Sequence, residues 1–208
     1  YFNAEDRFSY FQRTCFTPEQ WGKLIKLSNK LKINFCCSPF SIEALELLFD
    51  LGVDQIKIAS GEITNLPLIK KAASSASKLI LSSGMSNWSE LDAAMQIATN
   101  KCENVTILQC TSEYPCPPNK VGLNILEGMM HRYDGVKVGL SDHTRSLAAP
   151  VAAVALGATM IEKHLTFSRR MYGSDASNSL EPFEFREMIS LIREVDMMLS
   201  SPVDKSDA

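Results

Sequence analysis

Six times along this chain a short apolar, β-rich run gives way to a polar turn and then to a helical segment. That alternation restricts the fold more than any other feature of the sequence. The runs are 33–37, 55–59, 78–81, 105–109, 136–140 and 159–162. Most are near-continuous apolar stretches, the pattern of strands buried on both faces. Between them, Thr17-Pro18-Glu19-Gln20 forms a capping box with proline at the first helical position, opening a helix with Trp21, Leu24, Ile25 and Leu31 on one face. Ser41 caps a second helix, residues 66–73 make a third, and Asn87 with Glu90 opens a fourth. Helices over 123–132 and 147–156 follow. A last one over 182–199 turns Met188, Ile189, Ile192, Val195 and Leu199 inward. Strand–helix alternation predicts parallel pairing with right-handed crossovers.

Two architectures satisfy this pattern, an open doubly wound sheet and a closed (β/α)8 TIM barrel. No GxGxxG or GxxxxGK[ST] loop occurs, which removes the main sequence support for a nucleotide-binding sheet. Polar residues follow several different strands, as they do where barrels assemble their sites. The expected fold is therefore α/β, a TIM barrel. A barrel needs eight strands and about 250 residues, whereas this chain has 208 residues and six candidate strands. The first 16 residues, rich in aromatics (Tyr1, Phe2, Phe8, Tyr10, Phe11, Phe16), read as irregular and hold no βα unit. The expectation is a partial barrel over 1–200 lacking its first two strands, then a polar, frayed tail over 201–208.

Composition excludes several classes of partner. The net charge of −3, from 21 basic and 24 acidic residues, leaves no electrostatic footprint for nucleic acid. No stretch of this sequence reads as a signal peptide, and none is apolar for long enough to span a bilayer. The six cysteines form no CxxC pair, and Cys36-Cys37 lies within a strand run whose neighbours point to opposite faces. They read as free, buried thiols of a reducing, cytoplasmic compartment rather than as a thiolate metal site.

The strand ends carry the chemistry. His143 and His164 each follow an apolar run, in Leu140-Ser141-Asp142-His143-Thr144 and Ile161-Glu162-Lys163-His164-Leu165-Thr166. They belong to consecutive βα units, and neighbouring strands lie about 4.8 Å apart, so both imidazoles can reach one ion. Two histidines with a carboxylate or water suit Mn²⁺, Fe²⁺, Zn²⁺ or Co²⁺ better than Mg²⁺ or Ca²⁺. The competing reading is that each histidine hydrogen-bonds a neighbouring carboxylate, Asp142 or Glu162, for structural reasons. His131, at a helix end, reads as a surface residue. Ser38, Ser60, Ser82, Thr111, Ser112 and Ser141 place hydroxyls after five strands, and Lys57 adds a cation, a set that suits a phosphate or carboxylate. Singly, such residues are more often turn and cap chemistry. Glu62 suits a base or a helix-initiating carboxylate equally. Asp175, in the polar loop 173–182, could hold substrate hydroxyls.

Several ordered runs resemble the sialic acid synthase family, whose members condense phosphoenolpyruvate with amino sugars to make N-acetylneuraminate, legionaminate or pseudaminate. They include Phe35-Cys36-Cys37-Ser38-Pro39-Phe40, Lys57-Ile58-Ala59-Ser60-Gly61-Glu62-Ile63-Thr64-Asn65-Leu66-Pro67-Leu68, Leu81-Ser82-Ser83-Gly84-Met85 and Gln109-Cys110-Thr111-Ser112-Glu113-Tyr114-Pro115. Gly139-Leu140-Ser141-Asp142-His143-Thr144, Ala152-Ala153-Val154-Ala155-Leu156-Gly157-Ala158-Thr159, Ile161-Glu162-Lys163-His164 and the stretch from Gly173-Ser174-Asp175 to Ser179-Leu180-Glu181-Pro182 complete the set.

The resemblance implies a divalent metal, Mn²⁺ before Mg²⁺ or Co²⁺, on His143 and His164. It implies phosphoenolpyruvate contacts from Ser38, Lys57, Ser60, Ser82, Ser112 and Ser141, and places Glu62, Tyr114 and Asp175 with the N-acetylated amino-sugar aldehyde. It also implies a homodimer in the full-length form. Family members often carry asparagine where this chain has Ser112 and histidine where it has Ala176. Their first two strand motifs and their antifreeze-like domain have no counterpart here. Two further readings follow: another phosphoenolpyruvate aldol synthase, with Arg145, Arg169 and Arg170 as candidates for a second phosphate, or a non-catalytic relative that binds sugar or pairs with a full-length synthase.

Overall fold

Local capping signals set most element boundaries in the computed structural model, which describes residues 6–206. Among the described residues, helices α1 (Arg7–Thr14) and α2 (Pro18–Lys30) come first. They are followed by β1 (Cys36–Cys37), α3 (Ile42–Asp50), β2 (Gln55–Ile58), α4 (Leu66–Ala73), β3 (Lys78–Ser82) and α5 (Trp88–Thr99). The second half runs β4 (Val105–Cys110), α6 (Leu123–Arg132), β5 (Lys137–Asp142), α7 (Ala148–Ala155), β6 (Met160–Lys163) and α8 (Pro182–Ser200). Thr17 and Gln20 close the predicted capping box, and Asn87 with Glu90 closes another. The alternation is thus observed, with six strands rather than the eight of a closed barrel.

Three expectations are corrected. The N-terminal segment is not irregular throughout: Asp6 caps α1 by accepting from the Ser9 amide at 3.0 Å, so Phe8, Tyr10 and Phe11 lie on a helix. Tyr1 and Phe2, like the last two residues of the tail, fall outside the described residues. The first strand is shorter than 33–37 because the Ile33 amide donates to the Ser28 carbonyl at 2.9 Å, at the end of α2, leaving only Cys36 and Cys37 in the ladder. Of the positions expected to turn inward, Leu31 and Leu199 are exposed, as are Cys15 and Cys36 among the thiols expected to be buried, and on α8 only Met188 is fully buried.

The described residues divide into two compact units, one formed by residues up to Leu81 together with Ser86–Val105, the other by Ser82–Met85 together with the residues from Thr106 onward. In the first, β2 pairs in parallel with β1 and β3, with Lys57 opposite Ile80 and Ile58 opposite Leu81. Ile56, Ile58, Leu79 and Leu81 are buried on one face of the ladder, and Lys57 leaves from the other. Leu68, Ile69 and Ala72 of α4 and Leu91, Ala94 and Met95 of α5 supply the core.

In the second unit β5 pairs in parallel with β4 and β6, with Leu108, Gly139 and Met160 in one row. Gly139 is needed for that row. A Cβ there would meet Leu108 Cδ2 at 2.7 Å, Met160 Cβ at 2.9 Å and the Met160 carbonyl closer still. Gly139→Ala must push apart two strands that meet a buried backbone, so it should destabilise the fold by about 1–3 kcal/mol, the usual range for overpacking. Denaturant unfolding followed by circular dichroism should show a lowered midpoint; an unchanged midpoint would refute the tight row.

Candidate active site

The C-terminal ends of β5 and β6 bring the two histidines together. β5 runs to Asp142 and β6 to Lys163, so His143 and His164 are the first residues beyond paired strand ends. Their ring centroids lie 5.2 Å apart at 66°. Tyr114, from the loop after β4, lies over both, 4.1 Å from the His143 ring and 5.7 Å from the His164 ring.

His143 is held by the main chain, not by a neighbouring carboxylate. Its Nδ1 lies 2.8 Å from the Thr111 carbonyl, which can only accept, so Nδ1 carries the proton and Nε2 the lone pair. Cys110 Sγ lies 3.9 Å from the same nitrogen. Burial pulls the imidazole pKa down, but the Cys110 and Thr111 hydrogen bonds, with the charges of Cys110 and Glu162, outweigh it and hold the pKa above its ordinary value. His164, less buried, has Nδ1 3.8 Å from Asp175 Oδ2. Burial first, then the charges of Cys110, Asp175 and Glu162, push the Tyr114 hydroxyl up to about 12. That phenol is a neutral hydrogen-bond donor at working pH.

The β5–β6 register sorts the acidic residues. Ser141 opposes Glu162, and the Ser141 hydroxyl donates to Glu162 Oε1 at 2.8 Å. Asp142 opposes Lys163 on the other face, where the two form a buried ion pair. The carboxylates flanking the histidines in sequence therefore have different tasks: Glu162 acts electrostatically on His143, while Asp142 is spent on Lys163 and on the Thr144 amide at 2.8 Å. Of the other expected positions in this unit, Ser82 is buried with no hydrogen-bond partner for its hydroxyl, and Ser112 is half-buried beside Thr111. Asp175 is half exposed and precedes a 3₁₀ turn within the loop that leads to α8.

In the first unit, Ser38 follows β1 and Lys57 lies on β2, both half-buried. Ser60 and Glu62 bound a single 3₁₀ turn. Glu62 Oε2 accepts from Asn65 Nδ2 at 2.7 Å, and Asn65 in turn caps α4 through the Leu68 amide. Glu62 thus braces a helix start, whatever else it does.

The NeuB family model matches residues 2–204. This chain belongs to the NeuB family. It is 39% identical over 207 residues to the N,N'-diacetyllegionaminic acid synthase of Campylobacter jejuni, covering 98% of this chain and 62% of that protein. It is 36% identical over 194 residues to the pseudaminic acid synthase of Helicobacter pylori, covering 92% of this chain and 56% of that one. The crystal structure of an N-acetylneuraminic acid synthetase from Leptospira borgpetersenii superposes with a TM-score of 0.86 at 32% identity, covering 92% of this chain and 68% of that one. The chain thus spans less than two thirds of the length of those two curated relatives.

Sequence reasoning about this NeuB family chain found the histidines but missed what orients them. Thr111 acts through its carbonyl, which carries no residue signature. The Asp142–Lys163 pair did have one: opposite charges, each immediately preceding a histidine, at equal positions on neighbouring strands. Arg169, a candidate for a second phosphate in the alternative reading, is engaged within the protein. Its guanidinium forms a bidentate pair with Glu184, one arm at 3.0 Å, while its amide donates to Glu181 Oε1 at 2.9 Å. This clasp closes the loop that carries Asp175, alongside the Leu180 amide donating to the His164 carbonyl at 2.9 Å.

Arg169, then the Glu181 amide, hold the Glu184 carboxyl below its ordinary value. A depressed carboxylate contributes stability above its unfolded pKa and loses it as pH falls through the folded one. Hydrogen-exchange protection factors at the Leu180 and Thr166 amides should therefore fall below about pH 4.5, and at neutral pH in Glu184→Gln, with the Ile107 amide of β4 unaffected. Equal protection in the variant would show that the clasp does not hold the loop.

Proposed function

We propose that this chain is the catalytic portion of a sialic-acid-type synthase. The reaction joins C3 of phosphoenolpyruvate to the aldehyde carbon of an open-chain N-acetylated amino sugar. Water then adds at C2, and phosphate leaves to give a nine-carbon 2-keto acid. The observation that carries the reading is the adjacent pair of strand-end imidazoles beside Tyr114, in a chain of the NeuB family. In this reading the six βα units correspond to six of a barrel's eight.

The residues present fit a divalent metal. His143 donates Nδ1–H to a carbonyl, the arrangement that fixes a histidine with Nε2 ready to ligate. Among the described residues no group of three or more His, Cys, Asp or Glu is set to hold an ion, so His143 and His164 would share the metal with water and substrate oxygens. Two imidazoles with oxygen ligands favour Mn²⁺ or Co²⁺ over Mg²⁺. When bound, such an ion supplies Lewis acidity toward the aldehyde oxygen.

The protein's own groups do the rest. Tyr114, protonated, donates a hydrogen bond to a sugar or aldehyde oxygen. Asp175 accepts from a sugar hydroxyl, and Glu162 orients a water or accepts its proton. The resemblance gives Ser38, Lys57 and Ser60, and separately Ser82, Ser112 and Ser141, to phosphoenolpyruvate. The buried, partnerless Ser82 hydroxyl supports its share of that assignment. The alternative with a second substrate phosphate loses Arg169 to Glu184.

Mn²⁺ titration calorimetry should give one site per chain in the wild type and none in His143→Ala or His164→Ala; unchanged binding in either variant would remove the metal centre. Phosphate release from phosphoenolpyruvate with a panel of N-acetylated hexoses should identify an acceptor. Glu162→Gln should lower kcat by about 10²-fold or more, the range for a lost acid–base group, and Lys57→Ala should raise the KM for phosphoenolpyruvate. A folded, metal-loaded protein silent with every sugar would favour the sugar-binding, non-catalytic reading.

A further inference from the structure

One buried cation ties together the turn that carries His143 and the strand that leads into His164. The Lys163 and Asp142 side chains are each 1% exposed. The Lys163 ammonium donates to Asp142 Oδ2 and to the Thr144 carbonyl, and lies 3.4 Å from both Thr144 Oγ1 and the Ser146 carbonyl. Asp142 accepts from the Thr144 amide at 2.8 Å and from its hydroxyl at 3.0 Å, and the Ser146 amide donates to Thr144 Oγ1 at 3.1 Å. The turn over 142–146 is thus wound around one nitrogen, and His143 sits inside it.

From that turn the His143 ring reaches the Thr111 carbonyl, while its own carbonyl accepts from the Cys116 amide at 3.0 Å. Lys163 and Asp142 are register partners, each one residue before a histidine. Their pairing fixes how far along its strand each imidazole begins. Stability alone does not call for such a pair, because well-packed apolar residues of similar volume commonly match or exceed a buried ion pair.

We propose that Lys163 is a positioning residue for the histidine pair. By winding the 142–146 turn it holds His143 as a single Nδ1–H tautomer on Thr111, with Nε2 kept for a ligand. The metal part of the inference rests on the proposed metal site; the tautomer part does not.

The test uses the full chain with Lys163→Met, and the double variant Asp142→Asn, Lys163→Met, which leaves no unpaired buried charge if the single variant fails to fold. Nitrogen-15 NMR of labelled histidine should show His143 in one Nδ1–H form in the wild type and in exchange between tautomers in the variants. Mn²⁺ affinity should fall about 10-fold or more, as for other lost outer-shell partners of metal ligands. A folded variant with a lowered melting temperature, an intact His143 tautomer and unchanged Mn²⁺ affinity would overturn the proposal, since that is all a structural role predicts. If the wild type takes up no Mn²⁺, the metal reading fails by itself. The tautomer then decides: exchange in the variants supports positioning, and a single unchanged form refutes it.

Discussion

The histidine end of this protein depends on the register between β5 and β6. Ser141 opposite Glu162 and Asp142 opposite Lys163 are successive rows of one ladder, facing opposite sides. A slip of one residue would exchange those faces, turning Glu162 away from the imidazoles and Lys163 toward them. The register is pinned at both ends. At the start of β6 the Thr159 amide donates to the Val138 carbonyl at 2.8 Å, and at the strand ends the Asp142–Lys163 pair closes it. Between them Gly139 admits the Met160 backbone at a distance no side chain would allow.

Burying that ion pair costs desolvation of both charges, and the Coulomb attraction alone does not reliably repay it. The local structure offsets the cost with hydrogen bonds: the ammonium finds oxygens on Asp142, Thr144 and Ser146, and both Asp142 oxygens accept from Thr144. A fully satisfied polar cluster in low dielectric is rigid, because every alternative geometry leaves a group unpaired. Rigidity at this spot is inherited directly by the next residue on each strand, and those residues are His143 and His164.

This explains which features were legible in the sequence. The helices over 66–73 and 123–132 end where the pattern says, and Thr17, Ser41 and Asn87 cap as read, because capping is settled within four residues. The first strand was overextended because the apolar run at Ile33 gives no hint that its amide turns back to Ser28. Leu199 continues the helical period of α8 but is exposed, since periodicity marks a face without saying whether anything covers it. The histidines could be placed because strand ends are positions in a pattern. Their partners could not, because a main-chain carbonyl has no letter and because a charge beside a histidine looks the same whether it faces the ring or the core.

The charges around the histidines are largely balanced within the protein. Asp142 is matched by Lys163, Arg169 by Glu184, and Tyr114 stays neutral because burial and nearby negative charge oppose its ionisation. The negative charge that acts on the imidazoles comes from Glu162, hydrogen-bonded to Ser141, and from Asp175, beside His164. Two imidazoles with two carboxylates close by form an environment unfavourable to a further anion placed directly upon it.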